Sequence, residues 1–172
     1  MKQPTITYRL YTSKDKKELI RCVEEMQDYF IEKDTEGWLR RTKDYGRRYV
    51  DEYLLKELKK LKGQIHLALD GKRVVGFIMG TVENFKGFDL LYFQPERAGW
   101  VYLIYVDPAY RDYKIGTDLM DLLDAFFEKE QCTIVRLEAQ GNIDKLEEFY
   151  GRRGFKPWLI NMVKRVRPRT KK

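Results

Sequence analysis

The run Trp100-Val101-Tyr102-Leu103-Ile104-Tyr105-Val106 constrains this chain more than any other segment. It is β-rich, shows no polar alternation, and therefore reads as a central strand buried on both faces. Asp107-Pro108 ends it. Ile115, Leu119, Leu122, Leu123 and Phe126 then mark one face of a helix, and Thr133 to Ala139 reads as a further strand. A strand–helix–strand succession of this kind makes a right-handed crossover and places its two strands parallel in one sheet.

The remaining segments add hairpins and helices around that unit. Thr5 to Tyr11 alternates at period two, and Thr12-Ser13-Lys14-Asp15 has the form of a capping box. Leu19, Val23, Met26 and Phe30 give the next helix its stripe. After a polar stretch, residues 32–46, a second stripe of Val50, Tyr53, Leu54, Leu58 and Leu61 is expected to stop at a Lys62-Gly63 cap. Residues 65–69 and 73–82 flank Asp70-Gly71, a pair favoured in two-residue hairpin turns. A Gly/Pro/aromatic connection spans 84–98. A short helix over 144–150 and a last strand over 158–166 complete the order β-α-α-β-β-β-α-β-α-β. The expectation is a mixed α/β sandwich, one domain over residues 1–166, followed by a basic tail over 167–172.

Composition narrows the function. With 172 residues and 43% hydrophobic content the chain can build one core, and no apolar stretch approaches the ~20 residues that span a bilayer. The N-terminal residues show no apolar signal region, so the expected location is the cytoplasm. The two cysteines, Cys22 and Cys132, and the single histidine, His66, lack metal-ligand spacing; no metal site is expected, and His66 reads as a strand-face residue. Of the net charge of +7, six cations lie between Lys164 and Lys172. No nucleic-acid-recognition signature accompanies them, and a solvated terminus accounts for them.

The chemistry concentrates between the central strand and its helix, in Val106-Asp107-Pro108-Ala109-Tyr110-Arg111-Asp112-Tyr113-Lys114-Ile115-Gly116-Thr117. Two cations, a glycine and the open amides of a helix start suit an anionic phosphate. On those residues alone an ordinary strand-to-helix turn fits equally well. Further on, the short helix runs into Phe149-Tyr150-Gly151-Arg152-Arg153-Gly154-Phe155.

Together, in this order and spacing, the two segments resemble the GNAT superfamily of N-acetyltransferases. Val106 to Thr117 is similar to its acyl-CoA motif, a strand ending in V-x-P followed by R-x-x-G-x-G/A and a helix, and Tyr150 to Phe155 is similar to its Y-x-x-x-G-F motif. The resemblance implies that acetyl-CoA binds between splayed parallel strands, 100–106 and 133–139. Its pantetheine would pair along Ile104, Tyr105 and Val106, and its pyrophosphate would lie on Arg111, Asp112, Tyr113, Lys114, Ile115, Gly116 and Thr117. Lys114 replaces the family's first glycine and is expected to keep a helical φ while adding charge. The family's frequent asparagine, seven positions before the tyrosine, falls on Ile143, with Asn142 one place earlier as the nearest candidate.

The same resemblance implies direct attack of a primary amine of a small molecule, peptide or protein on the acetyl carbonyl, through a tetrahedral intermediate. Tyr150 stands at the family's tyrosine and is the candidate acid for the leaving thiolate. An amine of pKa ≈ 10.4 is neutral only about once in ~2,500 molecules at pH 7, so a base is needed. Glu138, in Leu137-Glu138-Ala139 twelve positions before Tyr150, resembles the base of bacterial ribosomal-protein N-terminal alanine acetyltransferases; a solvent-facing strand glutamate is an equal reading, and Glu83 is the second candidate. Acceptor recognition is expected from residues 29–45 and 84–99, with Asp28, Glu32, Asp34, Glu36 and Trp38 available to a cationic amine. A non-catalytic acyl-CoA-binding or protein-binding module is the alternative. The expected partners are acetyl-CoA and an amine, with no membrane, and the expected state is a monomer or homodimer.

Overall fold

The computed structural model describes residues 4–140, 143–159 and 161–167. Five strands form one sheet in sequence order: β1 (Ile6–Leu10), β2 (Lys62–Asp70), β3 (Arg73–Asn84), β4 (Arg97–Val106) and β5 (Ile134–Leu137). β1 to β4 pair antiparallel, and β4 with β5 parallel. Helices α1 (Lys16–Lys33) and α2 (residues 45–60) cover one face; α3 (Ile115–Lys129) and α4 (Ile143–Gly151) belong to the other. The mixed α/β architecture is the one expected.

Each face has its own core because strand side chains alternate. Leu19, Val23, Met26, Val50 and Leu54 from the helices meet Leu67, Phe77, Met79 and Tyr105 on one side. On the other, Ile115, Leu119, Leu123 and Phe127 of α3 meet Ala68, Ile78 and Val101. Helix α3 lies unusually close to the strands: a Cβ on Gly80 would stand 2.6 Å from Leu123, and one on Gly99 2.8 Å from Phe127.

The start of α1 is fixed by Asp15. Its carboxylate accepts two guanidinium N–H groups from Arg9 at 2.7 Å each, and the Thr12 amide and hydroxyl at 2.8 Å each. This is the capping box read from the sequence, with β1 tied in through Arg9. Helix α2 is not uniform: Tyr45–Arg48 and Leu55–Lys60 are α-helical, and Tyr49–Leu54 between them is a π-helix.

Three expectations need correction. Lys62-Gly63 does not cap α2; the helix ends at Lys60, and both residues open β2. Gly63 is required there because a Cβ would come within 2.6 Å of the Gly80 carbonyl oxygen on β3. The expected strand over 133–139 is shorter, Ile134–Leu137, since pairing with β4 stops at Val101↔Leu137. No strand forms among the described residues of 158–166. Alternation in that segment is no sufficient cause, because an extended chain without a ladder partner leaves its backbone to water. Trp158, Leu159 and Met162 stay exposed, the segment touching the rest of the chain through Trp158 on Phe93 and Arg165 on the Glu36 carbonyl. Among the described residues, no helix is long and apolar enough to cross a membrane.

The Asp15 cluster gives a prediction with a definite sign. Hydrogen bonds from Arg9, opposed by burial, and those from Thr12 hold its carboxyl well below the usual range. A depressed folded-state pKa contributes stability above the unfolded value of ~3.9 and loses it as pH falls below that. Asp15→Asn should cost about 2 kcal/mol at pH 7, with the gap from the parent chain closing below pH ~3.9. Urea unfolding at pH 7 and pH 3 measures both.

Candidate active site

The site begins where β4 and β5 part. Four residue pairs join them, from Ala98↔Ile134 to Val101↔Leu137. The next residue, Tyr102, is a bulge: on β3, Gly80 pairs with Val101 and Met79 with Leu103, leaving Tyr102 without an opposite. A bulge bends its strand and increases the twist. Beyond it, residues 103–106 keep their pairing with β3 while their other edge lies open.

The direction of the open groups follows from one bond. The Asp107 amide donates to the Val75 carbonyl at 2.8 Å. Successive amides alternate between the two edges of a strand. Tyr105 therefore aims its amide at β3, and Ile104 and Val106 aim theirs into the gap. The Tyr105 side chain turns to α1, where its hydroxyl donates to Glu25 at 2.6 Å; burial, with Glu25 beside it, raises that phenol. Ile104 and Val106 pack on the α3 side.

The turn into α3 is anchored on four sides. Asp107 accepts the Ala109 amide at 3.0 Å and Arg73 at 2.7 Å. Tyr110 donates to Asp70 at 2.8 Å, Tyr8 donates to Asp118 at 2.6 Å, and Ile115 is buried. Held this way, the turn contains two left-handed residues, Asp112 with φ 74° and Lys114 with φ 61°. Lys114 thus does not keep the helical φ expected of it; it adopts the conformation a glycine would take. A left-handed lysine costs roughly 1–2 kcal/mol, whereas aspartate tolerates the region better.

Around these residues the polar groups face outward. Ile115, Gly116 and Thr117 open α3 without intrahelical acceptors, the first ladder bond being Asp118 N–H to the Lys114 carbonyl at 3.0 Å. Gly116 has no packing reason to be glycine: a Cβ there would meet Phe149 only at 3.6 Å. Lys114, Asp112 and the Tyr113 ring are exposed, and the Arg111 guanidinium lies 4.9 Å from the centroid of Tyr29 on α1. Tyr29 opens the segment expected to recognise the acceptor, but nothing local in the sequence connects it to a turn 82 positions away.

Tyr150 packs among the α3-side residues, with Phe149 and Phe155 edge-on at 5.0 and 5.8 Å. Burial raises its phenol, and its hydroxyl has no hydrogen-bond partner among the described residues. Arg153 ties the end of α4 to α3 through Asp124 at 2.8 Å, and Gly154, φ 87°, turns the chain so that the Phe155 amide returns to the Tyr150 carbonyl at 3.1 Å. Glu138, just past β5, is exposed and lines a cavity on the opposite, α1–α2 face with Trp100, Tyr102 and Leu103. Glu83 is held by Arg136 at 2.6 Å, and Arg136 in turn covers Trp100 at 3.5 Å. Asn142 lies outside the described residues.

The acidic residues expected to greet an amine are otherwise engaged. Asp28 accepts from Arg41 at 2.6 Å, and Glu32 pairs with Lys33 at 2.6 Å. Asp34 caps its own turn through the amides of Glu36, Gly37 and Leu39, which, against the effect of burial, keep its carboxyl low.

The family described as Acetyltransferase (GNAT) matches residues 20–155. The chain belongs to the GNAT acetyltransferase family. No curated protein matches it in sequence. Among solved structures it is similar to a tetramutant of a Bacillus halodurans protein (13% identity, TM-score 0.76, covering 93% of this chain and 99% of that one). It is also similar to glucosamine-6-phosphate N-acetyltransferase from Arabidopsis thaliana (14%, TM-score 0.66, 95% and 99%). An acetyltransferase of the GNAT family from Staphylococcus aureus gives 20% identity and TM-score 0.65, over 88% and 85%. At these identities the likeness is one of fold.

The strained lysine is directly testable. Lys114→Gly should stabilise the protein by about 0.5 kcal/mol, the relief of left-handed strain exceeding the entropy a glycine adds to the unfolded chain. A thermal melt showing a lower Tm would contradict the strain assigned to this position.

Proposed function

We propose that this chain transfers an acetyl group from acetyl-CoA directly to a primary amine. The observation that carries the reading is the left-handed turn at Asp112 and Lys114, held by its anchored ends, which leaves the amides of Ile115, Gly116 and Thr117 facing out. A helix start with free amides, flanked by Arg111 and Lys114, suits a diphosphate. Gly116 leaves its backbone open to close approach. The open-edge amides of Ile104 and Val106 are available to an amide-bearing arm in the manner of an added strand.

Bound acetyl-CoA would supply the thioester as acyl donor. Of the chain's own groups, an open-edge amide is suited to polarise the acyl carbonyl, a contribution of about 3 kcal/mol for a well-placed donor. Glu138, on the α1–α2 face, takes the proton of the incoming amine. Tyr150, on the α3 face, is kept protonated by its raised phenol and donates to the departing sulfur. Base and acid thus flank the gap from opposite faces, and amine entry and thiol departure need not compete for one channel.

Calorimetry with acetyl-CoA tests the binding half. Micromolar binding is expected, weakened about tenfold in Arg111→Ala by loss of a charge-assisted contact; no binding at ~1 mM would remove the reading. Release of free thiol with a panel of amines tests the chemistry. Tyr150→Phe should lower kcat and kcat/KM together by about 100-fold, and unchanged turnover would retire Tyr150 as the proton donor. Binding without turnover of any amine would favour a non-catalytic acyl-CoA module.

A further inference from the structure

Tyr45, Tyr49 and Tyr53 recur at i, i+4 and i+8 along α2, and their rings stand 5.3 and 5.2 Å apart. The row continues onto the sheet, from Tyr53 to Tyr102 at 6.0 Å and from Tyr102 to Trp100 at 5.5 Å. These five rings line a cavity of about 310 Å³ on the α1–α2 face, at the bulge where β4 leaves β5. Among the described residues of its lining, Glu138 is the one charged group. The rest of the described lining is aromatic, aliphatic or amide, with no lysine or arginine among it.

Core packing accounts for only part of this wall: Tyr45, Tyr49 and Tyr102 pack against the α1–α2 core, while Tyr53 and Trp100 are not among its packed residues. Tyr53 remains 44% exposed. Burial raises the phenols of Tyr45, Tyr49 and Tyr102, so the rings are neutral at physiological pH and present their electron-rich faces. Neutral aromatic faces attract cations, more strongly where water is excluded. The chain already uses this attraction twice, with Arg136 over Trp100 and Arg111 over Tyr29. Arg136, over Trp100, is already paired with Glu83 at 2.6 Å, so an acidic ligand would meet Glu138 with no free cation among the described lining residues to offset it. A cation with apolar flanks meets both the rings and the carboxylate favourably.

We infer that the tyrosine-walled cavity selects a cationic alkylamine and holds it through ring faces with Glu138 as the counter-charge. Resting on the acetyl-transfer reading, this makes the cavity the acceptor site and its occupant an amine that arrives protonated, with Glu138 beside it to remove the proton. Amines bearing a carboxylate are rejected. The cationic recognition expected of Asp28 to Trp38 is thereby placed on α2 and β4 instead.

The experiment separates the cavity from the chemistry by using a cation that cannot be acetylated on nitrogen. Choline and its uncharged isostere 3,3-dimethylbutan-1-ol are titrated into the full chain without acetyl-CoA, following tryptophan and tyrosine fluorescence. Choline should bind about tenfold tighter than the isostere. Tyr53→Leu, at a partly exposed ring, and Glu138→Gln should each erode that ratio. Equal binding of the two, or a ratio indifferent to both substitutions, overturns the inference. In parallel, kcat/KM is compared for 1,4-diaminobutane and glutamate as acceptors. A strong preference for the diamine supports the assignment, and equal use of both overturns it. If choline discriminates as expected while no amine is acetylated, the cation site stands and the acetyl-transfer reading fails; turnover without discrimination gives the reverse.

Discussion

The parting of β4 from β5 after Val101↔Leu137 is the constraint on which the rest of the molecule turns. The parallel pairing stops at Leu137, where β5 ends, while β4 runs on to Val106. Here the Tyr102 bulge bends β4 while its ladder with β3 persists, so the sheet remains whole on one side and opens on the other. The amides of Ile104 and Val106 face into that opening, the α3 turn lies at its end, Glu138 stands on one face and Tyr150 on the other. Close approach of α3 at Gly80 and Gly99 helps hold this arrangement, because a helix standing even one methyl further away would shift the turn that precedes it.

The turn shows how a fold keeps a conformation that its own sequence disfavours. Lys114 in the left-handed region is unfavourable by itself, and a short surface loop would relax out of it. Relaxation is blocked because both ends are fixed: Asp107 by Val75, Arg73 and Ala109, and the helix side by buried Ile115 and the Tyr8–Asp118 bond. The lysine is therefore no simple substitute for glycine. It keeps glycine's backbone and adds a cation beside the free amides, while Asp112 adds an opposing charge two residues earlier.

The parts of this design that depend on near neighbours were legible in the sequence. The strand from Trp100, the α3 stripe and the Thr12–Asp15 box rest on residues within a few positions of one another and are read correctly from them, as is the β2–β3 hairpin, although its turn is Gly71-Lys72, with Asp70 paired to Arg73. What was not legible rests on distant partners. The Lys62-Gly63 pair looks like a helix cap until β3 is laid beside it and the Gly80 carbonyl claims the space. The segment from Trp158 to Val166 alternates like a strand but forms none among its described residues, since alternation supplies a face and not a ladder partner. Lys114 reads as a helical residue because chain order carries no φ. The Tyr45, Tyr49 and Tyr53 spacing was visible throughout, yet only the π-helical stretch and the approach of Tyr102 turn it into the wall of a cavity.

The groups that could offer covalent catalysis are poorly placed for it, and this bears on the proposed route. Cys22 is fully buried on the sheet-facing side of α1, and burial pushes its thiol up to about 12, leaving almost no thiolate at neutral pH. Burial also raises Cys132. His66 is largely buried on β2, its Nε2 paired with Gln64 at 2.9 Å and its pKa lowered by that burial. A ping-pong route through these residues would need one of them exposed at the gap. The proposed site draws instead on backbone amides, the Glu138 carboxylate and the neutral Tyr150 phenol, groups suited to orienting reactants and moving protons without forming bonds to the acyl carbon. Such a set serves a one-step transfer best, with both substrates held at once and the catalytic gain coming from their alignment.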